Sequence, residues 1–276
     1  MWFWKMRPAK FAKVLVCGLM MGAPALAQTP AVPPGIVVPD WALPESPTHK
    51  QVAPPLDFHR DPVTFNKPIG IFENQTDVGG PLVPGDASYD ETTRTYSITS
   101  AGYNIWYTRD EFRYLWKRMS GDVSLAATVE WPNMDDFGDR KVALVIRQGL
   151  NDDAVEVLVA QHGAGMVHLA RREAPNTRIK DMEYRVGSRG GLPGGKTPDS
   201  LVTVHAARIG IEKRGDQFQL WVSWQDEAVH PAGAPITLKL KEPFYVGIGF
   251  TSHLPATPLT AKVKAVVLEN EAGKIR

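Results

Sequence analysis

The chain has 276 residues, 31 Lys and Arg against 30 Asp and Glu, a net charge of +1 and one cysteine. Near-neutral charge gives no basic footprint for nucleic acid, and a single cysteine excludes an internal disulfide framework. The length suits one well-buried domain.

Residues 1–27 read as an export signal. Lys5, Arg7, Lys10 and Lys13 give a basic start without acids, residues 14–21 are an apolar run, and Ala25-Leu26-Ala27 is an A-x-A cleavage site. The run falls short of the roughly 20 residues a membrane span needs. Cleavage would start the chain at Gln28, remove Cys17 and take the net charge from +1 to −3. The expected location is periplasmic or secreted, with no membrane span after cleavage. Residues 28–62 hold nine prolines. Proline fixes φ and removes donors, so this is an extended, semi-rigid leader. It is either a spacer or a strap along the domain, the latter allowed by Trp41, Leu56 and Phe58.

From Val63 to about residue 270 strands dominate. In 95–99, Tyr96 and Ile98 alternate with Thr and Ser. In 112–117, Phe112, Tyr114 and Trp116 share a face; in Val123–Glu130, Val123, Leu125, Ala127 and Val129 do. Period two is what a half-buried strand requires. Residues 141–147, 155–162, 166–171, 202–213, 218–224, 236–240, 244–251 and 260–268 continue the pattern, rich in Val, Ile and aromatics and separated by Gly, Asn or Asp turns. No long amphipathic helix intervenes, which predicts an all-β antiparallel sandwich or barrel. Residues 174–200 carry five glycines among scattered basic residues and read as a long loop.

Within that loop, Gly190 to Thr197 matches G-x-x-x-x-G-K-[ST]. Phosphate cradling needs a buried strand before such a loop and a helix after it. Neither flank qualifies, so no nucleotide is expected. The seven histidines are scattered without H-x-H or H-E-x-x-H spacing, so no transition-metal site is expected. The acidic loops at 135–139 and 151–153 offer oxygen ligands for a structural Ca²⁺, or are ordinary turns. No other cofactor is expected.

An ordered set of motifs carries a resemblance: D-V-G-G at 77–80, G-Y-N-I-W-Y-T-R-D-E-F-R-Y at 102–114, A-L-V-I-R-Q-G-L-N-D-D-A at 143–154, I-E-K-R-G-D-Q-F at 211–218 and Y-V-G-I-G-F-T-S-H at 245–253. Across about residues 70–269 the chain resembles an exported bacterial family of concanavalin A-like sandwiches, a domain of unknown function. That family is similar to the C-terminal sandwich of family 43 β-xylosidases. The resemblance implies a jelly-roll of two antiparallel sheets with a concave face and a carbohydrate role, and carries over no catalytic residue. One rim departs from the pattern, reading S-W-Q-D-E-A-V at 223–229. The E-x-D-x-x-E run of hydrolases on this fold and the R-x-E-x-R and Q-[IV]-H signatures of its lyases are absent. Glu156 and His162 share a strand face but stand about 20 Å apart at ~3.3 Å per residue.

Sugars stack on aromatic rings while fork donors and carboxylates hold their hydroxyls. In Lys141–Arg147, Leu144 and Ile146 face one side, Val145 and Arg147 the other. The candidate carbohydrate-binding residues are therefore Trp106, Asp110, Trp116, Arg147 and Arg171. Alternatively, the aromatics fill the core and the arginines pair with Asp110 or Asp122 as structural groups. The expected partner is a glycan or polysaccharide, bound without catalysis. The alternatives are a hydrolase or lyase with an unfamiliar centre, or an envelope module contacting protein through the leader or the 174–200 loop.

Overall fold

A computed structural model describes residues 58–184 and 205–276. Residues 1–57, with the expected export signal and most of the leader, and 185–204, with the Gly190–Thr197 pattern, lie outside the described residues. The described residues form fifteen strands and no helix.

The eight-stranded sheet runs β1 (Val63–Thr64), β2 (Asn74–Val78), β5 (Phe112–Met119), β14 (Phe244–Thr251), β7 (Lys141–Arg147), β8 (Glu156–His162), β9 (Val167–Arg172) and β10 (Lys180–Tyr184). The seven-stranded sheet runs β13 (His230–Thr237), β12 (Gln217–Ser223), β11 (Arg208–Arg214), β6 (Val123–Glu130), β15 (Leu259–Glu269), β4 (Thr95–Ser100) and β3 (Asp86–Asp90). The ladders within each sheet are antiparallel. The two sheets pack face to face as an all-β antiparallel sandwich.

Between them lies the main core. Tyr96, Ile98, Leu125 and Ile211 face it from one sheet, Val142, Leu144, Ile146, Val157, Val159 and Ile248 from the other. The alternation in β4 produces this directly, with Tyr96 and Ile98 buried between half-exposed neighbours. In β7 and β8 every residue is buried, on both faces. The reason is a second apolar layer outside the eight-stranded sheet, where Ala143, Val145, Leu158, Ala160 and Ala170 meet Phe112, Tyr114, Trp116, Ile105 and Ile179. The residues between β4 and β5 run across this face, and the Ile179 N–H donates to the carbonyls of Trp106 and Tyr107, 3.2 Å each.

Four elements differ from the sequence reading. Lys180–Tyr184, read as loop, is a strand along β9 with Lys180 opposite Arg171. Its charged, alternating K-D-M-E-Y suits a sheet edge better than a core run. β13 begins at His230, well before the expected 236, and includes Pro231 and Pro235. As the last strand of its sheet it tolerates prolines, which cost ladder hydrogen bonds only where both edges pair. The polar strands β2 and β3 carry too few apolar residues to stand out. Of the leader, residues 58–62 are described, and they form a strap: His59 Nδ1 lies 2.8 Å from Asp152 Oδ1, and the Arg60 N–H donates to Asp152 Oδ2 at 3.2 Å.

Candidate functional site

Side chains on the outer face of the eight-stranded sheet follow from register. Arg147 lies opposite Glu156, and Glu156 opposite Arg172; at the other end of β7, Lys141 lies opposite His162. The face therefore carries two polar clusters at opposite ends of β7, about 20 Å apart at ~3.3 Å per residue.

The first cluster is closed. Asp110, Arg147, Glu156 and Arg172 are all 0 % exposed. Arg172 grips Asp110 with both terminal nitrogens, at 2.7 and 2.6 Å, and reaches Glu156 Oε1 at 3.1 Å. Arg147 donates to Asp110 Oδ2 at 3.2 Å and to the Asn151 carbonyl at 2.8 Å, and its Nε lies 3.5 Å from Glu156 Oε2. Burial, followed by the negative charge of Asp110, pushes the Glu156 carboxyl up to about 8 against the pull of both arginines. Gly79 lets the backbone approach here: at φ +68° it lies so close that a Cβ would sit 2.0 Å from the Asp110 carbonyl oxygen.

The second cluster opens onto a cavity of ≈ 190 Å³ lined by Asn104, Trp106, Asp139, Lys141, His162, Met166 and His253. Lys141 projects from the start of β7, and its ammonium donates to Asn104 Oδ1 at 2.7 Å and lies 5.8 Å from the Trp106 ring centre. Burial lowers the Lys141 ammonium to about 8, against the raising effect of Asp139, Asp110 and Asp181. Asn104 Oδ1 also accepts from the Ile105 N–H at 2.8 Å, which turns its amide nitrogen toward His253 Nε2, 3.3 Å away. That nitrogen must then accept, so the neutral His253 ring carries its proton on Nδ1. His253 Nδ1 faces Asp139 Oδ2 at 4.0 Å, and His162 Nδ1 faces Asp139 Oδ1 at 3.9 Å. His162 Nε2 lies 3.3 Å from Nδ1 of His168, whose ring packs against Trp106 at 5.3 Å. Burial first, then the charges of His162 and Lys141, hold His168 well below the ordinary imidazole value.

Asp139 is held by its loop. The Arg140 guanidinium lies over the Trp131 ring at 4.8 Å and donates to the carbonyls of Asn133, Asp136 and Phe137. The Ala164 N–H donates to the Gly138 carbonyl at 2.8 Å, tying this loop to the β8–β9 hairpin that carries His162. The cavity thus joins an aromatic wall, a buried ammonium, an amide and two imidazoles facing one half-exposed carboxylate.

Of the sequence candidates, the structure brings Asp110 and Arg147 together, as an internal ion pair. Trp106 lines the cavity. Trp116 lies on the same face, 7 % exposed, with its indole N–H on Thr76 Oγ1 at 2.8 Å and its ring edge-on to Tyr245 at 4.9 Å. Arg171 does not join them. It stands opposite Val157, a core-facing position, and pairs with Glu173 at 2.8 Å; Arg172 takes the place beside Asp110. Lys141, Asn104, Asp139, His162 and His253 were not among the carbohydrate-binding candidates, although His162 was weighed with Glu156 and Asp139 within a calcium loop. The parity that sets Arg147 opposite Leu144 and Ile146 sets Lys141 on the same face, and the short Gly163–Gly165 link puts His162 and His168 on adjacent strands. His253 and Asn104 left no such signal. In the loops considered for calcium, Asp152 pairs with His59 and Arg109, and Asp136 accepts from Asn133 at 2.8 Å. Among the described residues no group of three or more His, Cys, Asp or Glu side chains is arranged to hold a metal ion.

No protein-family model matches the chain, and no curated protein sequence does. Among solved structures, the chain is similar to a functionally unknown protein from Saccharomyces cerevisiae, with a TM-score of 0.48 and 10% identity over 79% of this chain and 99% of that one. It is similar to lectin II from Ulex europaeus at 0.42, with 13% identity over 76% and 98%. It is also similar to an alginate lyase from Klebsiella pneumoniae at 0.40, with 10% identity over 69% and 85%. These likenesses concern the course of the chain and transfer no site residue.

Proposed function

We propose that the protein binds a glycan at the cavity beside Trp106, on the outer face of the eight-stranded sheet. The observation that supports this is the composition of the cavity wall: one aromatic ring beside convergent polar groups from Asn104, Lys141, His162 and His253. A sugar stacks a C–H face on indole while donors and acceptors fix its hydroxyls. The volume of ≈ 190 Å³ lies below the roughly 300–1,000 Å³ of drug-sized pockets, so the cavity suits one sugar unit with the rest of the chain outside. The sequence resemblance to exported sandwiches agrees with this reading. Export rests on the basic-apolar-AxA start, and amino-terminal sequencing of the protein from culture fractions tests it.

A glycan array tests the binding. Saturable retention of one sugar class is expected, and Trp106→Ala should weaken it by at least about tenfold, the scale of one lost stacking contact. A folded protein that retains no glycan would overturn the reading.

A catalytic reading has one observation behind it. Asp139 stands between the Nδ1 atoms of His162 and His253, a carboxylate–imidazole set able to move protons near neutral pH. Incubation with the retained polysaccharide decides it: new chain ends that vanish in His162→Ala support catalysis, and intact polymer leaves binding alone.

A further inference from the structure

Among the described residues, the cation in the cavity has no carboxylate within ion-pair distance. Lys141 is 2 % exposed. An ammonium has three donors. One is placed, on Asn104 Oδ1, and the ammonium also lies 5.8 Å from the Trp106 ring centre. Three carboxylates act on it from further off. Asp110 is held by Arg147 and Arg172, Asp139 faces the two imidazoles, and Asp181 stands on β10 across the sheet. Burying a charge without a partner is costly, and proteins keep such groups where a ligand supplies the partner.

A neutral sugar offers hydroxyls, which accept a hydrogen bond but leave the charge standing. A carboxylate supplies both the charge and the lone pairs, and charge-assisted bonds to it are the stronger ones. Replacing the hydroxymethyl of a hexose by a carboxylate adds little volume, which matters in a cavity of ≈ 190 Å³. We propose that the sugar unit taken here is a uronic acid, whose carboxylate meets Lys141 beside Asn104. This rests on the glycan reading of the cavity and names its ligand class.

The same placement gives a pH signature. The groups facing Lys141 are His162, His168 and His253, Asp139 at the mouth, Asp110 and Asp181. Among these Lys141, lowered to about 8 by burial, is the group whose charge is lost on the alkaline side. Uronate affinity should therefore fall as pH rises past about 8.

The experiment uses calorimetric titration with oligosaccharides of galacturonate, glucuronate, mannuronate and guluronate, each paired with its carboxyl-reduced form, plus a sulfated neutral galactan. The expected result is binding of one uronate series, at least about tenfold weaker after carboxyl reduction, as for loss of one charged hydrogen bond. Lys141→Met should remove that difference, leaving the two forms equal. It should fold, because an apolar side chain of similar length replaces an uncompensated charge. Should it not fold, the wild-type pH profile serves in its place, and a flat profile to pH 10 overturns the proposal. Equal affinity for the carboxyl-reduced partner overturns the uronate assignment while the glycan reading stands. Preference for the sulfated polymer overturns the carboxylate in favour of another anion. Binding of none, in a protein that also retains no neutral glycan, overturns the glycan reading itself.

Discussion

Arg147 and Arg171 differ in one structural respect that decides the effect of losing each. Arg147 has no solvent exposure and pairs with Asp110 and Glu156. Arg147→Ala would leave Asp110 and Glu156 buried with one cation fewer, and removing one partner of a buried pair costs about 3–5 kcal/mol. Chemical denaturation should show that loss. Arg171 is 27 % exposed in its side chain and pairs with a Glu173 that is 40 % exposed. Arg171→Ala should stay within about 1 kcal/mol of wild type by the same measurement, as surface pairs do. Equal costs would contradict the assignment of the two faces. In the sequence the two neighbours Arg171 and Arg172 look alike. A shift of one residue moves a side chain to the other face, so only the register of β9 against β8 picks Arg172.

At the scale of elements, the strap and the turn before β3 position the outer face. The guanidinium groups of Arg60 and Arg109 lie 4.9 and 4.8 Å from the Phe58 ring centre, while His59 and the Arg60 amide hold Asp152. Phe58→Ala should therefore lower stability by about 1–3 kcal/mol in denaturant titration, combining lost apolar burial with two cation–π contacts. A cost near zero would mean that residues 58–62 lie loosely, as a spacer would. Gly79→Ala is a sharper case. The new methyl would collide with the Asp110 carbonyl and adopt a positive φ, so a loss above about 2 kcal/mol is expected. The motif D-V-G-G is visible in the sequence; the close approach of its Gly79 to Asp110, far along the chain, is not. The long central strands were legible because, with both faces covered, they read as near-continuous runs of Val, Leu, Ile and Ala between turn residues. The edge strands β10 and β13 were not, because edges exchange apolar patterning for charge and proline.

Across the whole molecule, two buried groups set opposing responses to pH. Glu156 has a carboxyl raised from 4.5 to about 8, so the folded state binds a proton that the unfolded chain has released. Its contribution to stability is complete below 4.5 and is lost as pH rises through about 8, at roughly 1 kcal/mol per pH unit inside that window. Lys141 runs the other way. With its ammonium lowered from 10.5 to about 8, its contribution is present above 10.5 and is lost as pH falls through about 8. Denaturation midpoints measured from pH 5 to pH 8 should fall in wild type relative to Glu156→Gln, which lacks the titration. Parallel midpoints would show that Glu156 is already ionised in the folded state.

The sequence by itself determined the all-β class, the positions of the central strands and that Arg147 shares a face with Val145, opposite Leu144 and Ile146. These are local properties: alternation along a strand and turn residues between strands are written in neighbouring positions. The tertiary structure alone decided that Asp110 and Arg147 are sealed into an internal ion pair with Arg172. It also decided that Asn104, Asp139, Lys141, His162 and His253 converge beside Trp106. The reason is physical: convergence depends on the order in which strands pair and on loops folding back over a sheet. Those contacts join residues up to 149 positions apart, as Asn104 and His253 are, and no periodicity along the chain encodes them.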